Sequence, residues 1–352
     1  MTLNTGAGAR TAGAVEESAP RVVKEAAEGL SGYLLRERGA IDDALRACLP
    51  TSSLADARRL NEAVEYAVFP GGKRLRPALA LLASNLAGAA RAQSLRVACA
   101  VEFLHSSSLV LDDLPAMDDA DMRRSRRALH LVFGEGAAVL ASVALLNRAY
   151  ELLAAAARGR GAAAALVAEA ARCVGADGMV GGQAVDLEAR AGAAGPDALA
   201  CRDLKTVALM RLMMTAGALA RGAPEEDASA LADFGECFGR AYQVCDDLLD
   251  EAGGPEATGK PSRQDERHAR ASAVSTLGGD VARRLASELI ERGRSRLAER
   301  FGPRAEVGLL SEAAELVLNR AGIRIEAEGR RPEPPIRRGR AAARGRVLSH
   351  RA

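Results

Sequence analysis

Apolar positions along this chain recur at intervals of three and four, the spacing of one face of an α-helix. Leu60, Val64, Ala67 and Val68 form one such stripe, which stops at the "FPGG" of residues 69–72. A longer run predicts a helix over 93–114, bent or ended by Pro115, which has no N–H for the helical ladder. Residues 136–157, 162–175, 205–220 and 227–249 predict further helices. A loop at "EAGGPEATGK" follows, and helices resume beyond 276. Gly181 and Gly182 mark a kink or a close backbone approach. Alternating runs of β-branched and aromatic residues are nearly absent. The pattern predicts an all-α protein. Residues 1–27 read as a flexible lead-in, 28–327 as one helical domain, and 328–352 as a disordered basic tail rich in Arg and Pro.

Composition agrees with helices. Of 352 residues 48% are hydrophobic but only 3% aromatic, with no Trp, so Ala and Leu must fill the core. Both are strong helix formers. A net charge of +2 gives no overall nucleic-acid footprint. Six cysteines without a CxxC pair read as reduced core residues of a cytoplasmic protein. The opening "MTLNTGAGARTAGAVEESAP" has no apolar segment of the secretory kind. The longest charge-free apolar stretch, near 136–147, is shorter than a bilayer core, so no transmembrane segment is expected.

Charge changes the picture. Residues 109–124 read "LVLDDLPAMDDADMRR", with five aspartates in ten residues. Two carboxylates ~4 Å apart repel by roughly 4 kcal/mol at an effective dielectric near 20, so something must neutralise this cluster. A second acidic motif, "YQVCDDLLD", spans 242–250. Asp246 and Asp250 stand four apart and share a helix face. Asp112 and Asp118 stand six apart, which an ideal helix does not superpose, but a break at Pro115 allows the chain to bring Asp118 round. A solvated helix end explains one such motif. Two of them on apolar helices, each with basic residues nearby, point to a metal site. Carboxylates without His or Cys favour Mg²⁺, which completes its shell with phosphate and water. The alternating ladder of an EF-hand is missing. Only four of the 48 basic residues are lysines, and Lys73 ("GGKRLRP"), Lys205 ("LKT") and Lys260 ("TGK") all sit at loop signals. A compact ammonium suits phosphate as a point charge.

Taken in order, "GGKRLRP" (71–77), "EFLHSSSLVLDDLPAMD" (102–118), "RR" (123–124), "GMVGGQAVDL" (178–187), "LKT" (204–206), "YQVCDDLLD" (242–250) and "GK" (259–260) resemble the trans-isoprenyl diphosphate synthases, geranylgeranyl diphosphate synthases most of all. The resemblance covers about 45–325. It implies the isoprenoid synthase fold, a bundle of about a dozen helices around a central cavity, in a homodimer. It implies a prenyltransferase that condenses isopentenyl diphosphate with the allylic diphosphates DMAPP, GPP and FPP, using three Mg²⁺ ions. Asp112, Asp118 and Asp246 would ligate metal, and Asp113, Asp247 and Asp250 would support them. Arg123, Lys205, Thr206, Gln243 and Lys260 would hold the allylic diphosphate. Lys73, Arg76, His105 and Arg124 would hold that of isopentenyl diphosphate. A farnesyl diphosphate synthase, a terpene cyclase on the same fold and a non-catalytic subunit are the alternatives.

The chain departs from the family after "RR", where Ser125-Arg126-Arg127-Ala128 stands for Gly-Lys-Pro-Thr, and at Ser142-Val143, which replaces Gly-Asp. In the family, bulky aromatics four and five residues before the first Asp stop growth near C15. Here those residues are Ser108 and Ser107, with Phe103 and Leu104 as candidate floor residues a turn further back. With the two-residue insertion in "DDLPAMD", this resembles enzymes that stop at C20.

Overall fold

The computed structural model describes residues 18–190, 198–252 and 272–323. Lys260 and the tail at 328–352 lie outside them, as do residues 1–17 of the expected lead-in. The described chain is helical: α1 Ser18–Cys48, α2 Arg58–Val68, α3 Leu75–Leu86, α4 Arg91–Asp112, α5 Leu129–Phe133, α6 Glu135–Ala156, α7 Arg160–Val174, α8 Met179–Arg190, α9 Ala198–Arg221, α10 Glu225–Ala252, α11 Ala273–Leu277, α12 Gly279–Phe301 and α13 Ala305–Arg320. Helix α1 thus starts within the stretch read as lead-in, and it kinks at Gly29, which has φ +62°.

Two helices form the centre. Cys99, Ala100, Val101, Phe103 and Leu104 of α4 are all buried, as are Leu212, Met213, Met214 and Ala216 of α9. Helices apolar all round must be enclosed, not laid on a surface. Around them pack α3, α6 and α10, with α12 outside α10. Gly217 lets α9 cross α3 closely, since a Cβ there would lie 2.2 Å from Ser84 Oγ. Gly181 sits in the first turn of α8, where a Cβ would meet the Ala176 carbonyl at 1.8 Å, so it marks a close approach. Among the five cysteines with described side chains none is in a disulfide.

Two helices, α4 and α6, are long and apolar enough to cross a membrane by length and composition. The 136–147 stretch read as too short is extended by the alanines and leucines that follow, to a helix of 22 residues. Two-thirds of the apolar window of α4 is buried inside the protein, against 39% for α6.

Helix α4 ends at Asp112, as Pro115 requires, and the chain then folds back. Asp118 N–H donates to the Asp112 carbonyl at 2.8 Å, and Ala120 N–H to that of Asp113 at 3.2 Å. The break therefore does bring Asp118 round to Asp112. A short antiparallel hairpin follows, which the helical pattern gave no sign of. Its strands are β1 Met122–Arg123 and β2 Arg126–Arg127. Arg124 and Ser125 in the turn have φ +52° and +61°, the signature of a tight hairpin turn of the kind that favours Gly. The departure from the family's Gly at 125 thus falls on a left-handed position. Left-handed backbone costs a non-Gly residue about 1–2 kcal/mol, partly offset by the greater freedom of Gly in the unfolded chain. Ser125→Gly is expected to raise the unfolding free energy by about 1 kcal/mol. Denaturant titration checks this, and a loss of stability would contradict the strain.

Candidate active site

Half-buried side chains on otherwise buried helices mark a cleft. On α4 they include His105, Ser108 and, at the buried end, Asp112, which share a stripe; on α10 they are Tyr242, Gln243, Asp246 and Asp250; on α9, Lys205 and Thr206. Lys205 Nζ lies 3.0 Å from Asp112 Oδ2. Its neighbour Thr206 donates to Gln243 Oε1 at 3.3 Å, and Gln243 Nε2 donates to Asp247 Oδ1 at 3.1 Å. Adjacent residues of α9 thus reach one to each acidic motif, which fastens both motifs to one rim.

The aspartates differ in their surroundings. Asp112 is buried, and desolvation holds its carboxyl above the usual carboxylate range. Lys205 opposes that shift and the nearby charge of Asp118 adds to it. Asp113 is buried too, but the guanidinium of Arg123 forks onto it through Nε, at 2.9 and 3.1 Å, and Nη2. The hairpin arginine expected at a diphosphate therefore neutralises Asp113 first, which leaves Nη1 for other partners. Its own pKa is raised: burial acts against this, and the Asp113 bond outweighs it. Asp247 is buried, and its Oδ2 accepts from the backbone N–H of Ala273 at 2.8 Å, so it anchors the start of α11.

Beside this rim lies a cationic pocket. His105 is pushed well below its ordinary pKa by burial first, and then by Arg76, Arg124 and Arg123. Arg76 lies 6.0 Å over the ring of Tyr242, and its buried Nε has no hydrogen-bond partner among the described residues. An unpartnered buried donor of this kind is an anomaly that an anionic ligand removes. Gly72 brings the "GGK" loop to Arg124, with a Cβ position 3.6 Å from Arg124 Nε, and Lys73 is exposed on that loop.

Four residues carry the site without having been singled out by motif. Arg74, buried and at φ +53°, donates to Asp42 at 2.9 Å, to Glu102 at 2.5 Å and to the Val68 carbonyl at 2.9 Å. Glu102, also buried, stands 3.7 Å from Arg124. Gln183 Nε2 meets Met117 Sδ in the first acidic loop at 3.6 Å, and Asp186 is buried on the same helix. Each sits inside a quoted motif; for Glu102, Gln183 and Asp186 a polar residue in a helical run was the available signal, whereas nothing marked Arg74 among its basic neighbours.

Residues 57–296 match the polyprenyl synthetase family. The chain belongs to that family. It is 37% identical over 275 residues to a chloroplastic geranylfarnesyl diphosphate synthase of Leucosceptrum canum, covering 76% of this chain and 74% of that one. It is 35% identical over 285 residues to a chloroplastic geranylgeranyl pyrophosphate synthase of Catharanthus roseus, covering 80% and 79%. The crystal structure of an FPP/GFPP synthase from Zymomonas mobilis superposes with a TM-score of 0.72 at 31% identity, covering 82% of this chain and 98% of that one. The fold is the isoprenoid synthase fold and the protein is a prenyltransferase. A polyprenyl synthetase acts on diphosphates with a divalent metal. The acidic rim supplies oxygen donors of the kind such a metal takes, although among the described residues no three His, Cys, Asp or Glu side chains are gathered to hold an ion. Arg76, His105 and Arg124 group together beside that rim, with the Glu102 carboxylate 3.7 Å from Arg124.

Lys205 holds the Asp112 pKa down, so its removal must let that carboxyl protonate at higher pH. Lys205→Met is expected to move the acid limb of the kcat/KM profile for the allylic substrate upward in pH, beyond any loss of rate. A profile lowered but unmoved would separate Lys205 from the ionisation of Asp112.

Proposed function

We propose that the protein elongates allylic diphosphates (DMAPP, GPP and FPP) with isopentenyl diphosphate to give geranylgeranyl diphosphate, C20, with Mg²⁺. The observation that carries this reading is the bridging of both acidic motifs by Lys205 and Thr206. Asp112, Asp118 and Asp246 would hold the ions, three per site on the family's pattern. When bound, Mg²⁺ supplies charge stabilisation for the departing pyrophosphate. The allylic C–O bond breaks, and Lys205, Thr206, Gln243, Arg123 and Lys260 take the diphosphate charge. His105, kept neutral, holds the second diphosphate with Lys73, Arg76 and Arg124. The double bond of isopentenyl diphosphate attacks the allylic cation, and a proton passes to a pyrophosphate oxygen. The apolar faces of α4 and α9 keep water from the cation. Retention of Arg76, His105 and Arg124 around one pocket favours elongation over cyclisation.

A homodimer fits Val139, Leu140 and Val143, which leave an apolar stripe exposed on α6. That occupant also gives the apolar face of α6 a role other than spanning a membrane. None of the five cysteines with described side chains is in a disulfide, which supports a reducing compartment, and we infer the cytoplasm.

The test is to incubate the protein with isopentenyl diphosphate and each allylic diphosphate and to size the products. C20 with Mg²⁺ is expected, nothing in excess EDTA, and losses of orders of magnitude in Asp112→Ala and Asp246→Ala with the helical signal retained. Full activity in EDTA would defeat the reading.

One more isoprene unit adds five carbons, worth about 4 kcal/mol of burial at ~0.8 kcal/mol each, so only a steric stop ends growth. Ser108 shares the stripe of Asp112 and faces the cleft, with Leu104 and Phe103 buried below it. Ser107 is turned away, its hydroxyl bonded to Ser142 on α6. Ser108→Phe is therefore expected to shorten the product to C15 with little loss of stability. Ser107→Phe is expected to shorten it too, at a larger loss of stability as α6 is displaced. Undiminished C20 from Ser108→Phe would remove α4 from the tail's path.

A further inference from the structure

The contact between Ser107 and Ser142 is reciprocal. The two hydroxyls lie 2.8 Å apart, Ser107 Oγ lies 3.1 Å from the Ser142 carbonyl, and Ser142 Oγ lies 3.1 Å from the Ser107 carbonyl. Both residues are buried, at 3% and 1% exposure. Each side chain therefore reaches the backbone of the opposite helix, and the seam between α4 and α6 is stitched from both sides. Ala138, Ala141 and Leu145, on the same face of α6, are fully buried beside it. The seam borders the cleft, because Ser107 and Ser108 are neighbours about 100° apart around α4. Beyond the seam, α6 exposes Val139, Leu140 and Val143. A tail that slipped between the helices would thus leave the cleft toward this apolar stripe of α6.

We infer that Ser142 is a specificity-determining residue of the elongation reaction, which with Ser107 closes the α4–α6 seam to the growing tail. The inference rests on the elongation reading above. Ser107 lies five residues from Asp112, about 7.5 Å along the helix. A five-carbon tail ends before the stitch, and a fifteen-carbon tail reaches past it. The stitch acts only on late rounds of growth. The hydroxyls satisfy one another, so they close the seam without leaving a polar group unpaired beside the tail.

The test supplies full-length protein with the C15 allylic diphosphate and isopentenyl diphosphate, and sizes the products of Ser142→Ala, Ser107→Ala and the double variant. In each single variant the ratio of C25 and longer products to C20 is expected to rise about fivefold, the factor that matches the net loss of one neutral hydrogen bond. The double variant should rise further than either single, because each single change leaves the other hydroxyl bonded to the opposite backbone. Turnover of the five-carbon allylic diphosphate by Ser142→Ala should stay at the wild-type value, a split that general loosening of the fold would not give. Unchanged product ratios in all three variants, or an equal loss with both allylic substrates, would overturn the inference. Failure of the wild-type protein to make any prenyl diphosphate would instead defeat the elongation reading, and this inference with it.

Discussion

The ion pair between Lys205 and Asp112 holds together what the rest of the site needs. Asp112 ends a helix whose interior must be apolar to be buried, so its charge is placed where water is scarce. Desolvation of such a carboxylate costs several kcal/mol unless a cation stands against it. Lys205 supplies that cation from the neighbouring core helix, at 3.0 Å. Because Thr206 is the next residue, the same turn of α9 also reaches Gln243, and through it Asp247 on the second acidic helix. The distance between the two acidic motifs thus follows from one turn of α9. Burial still holds the Asp112 carboxyl above the usual carboxylate range, and Lys205 limits that shift.

A second buried network fixes the other half of the site. Arg74 uses three of its donors on Asp42, Glu102 and the Val68 carbonyl, and so ties α1, the end of α2 and α4 to the loop that carries Lys73. Glu102 also stands near Arg124. Arg76, two residues on, keeps a buried donor without a partner among the described residues. The network thus uses Arg74 for structure and leaves that donor of Arg76 unbonded.

Much of this was legible in the sequence, and the reasons are physical. Helices α4, α6, α9 and α10 carry strong apolar periodicity, so their existence follows from spacing, and so do their limits to within about three residues, except that α9 begins at Ala198, seven residues before the expected start at 205. Pro115 ends α4, and the return of Asp118 follows from that break. The hairpin was not legible, because a two-residue strand has no period, and Ser125 conceals a turn that Gly would have announced. Nor did "KRLR" say which arginine is buried: Arg74 and Arg76 differ only in the face of the chain they occupy. Ser107 and Ser108 looked equivalent as small residues near the first Asp. Only their 100° separation on α4 assigns one to the cleft and the other to α6.

The central claim is that the two acidic motifs act together, through metal, on a diphosphate. Calorimetric titration of inorganic pyrophosphate into the protein tests it without any turnover. The account predicts tight binding with Mg²⁺ present, loss of that binding in EDTA, and the same loss with Mg²⁺ in an Asp246→Ala variant. Pyrophosphate binding of equal strength in EDTA, or unchanged by the loss of Asp246, would contradict it.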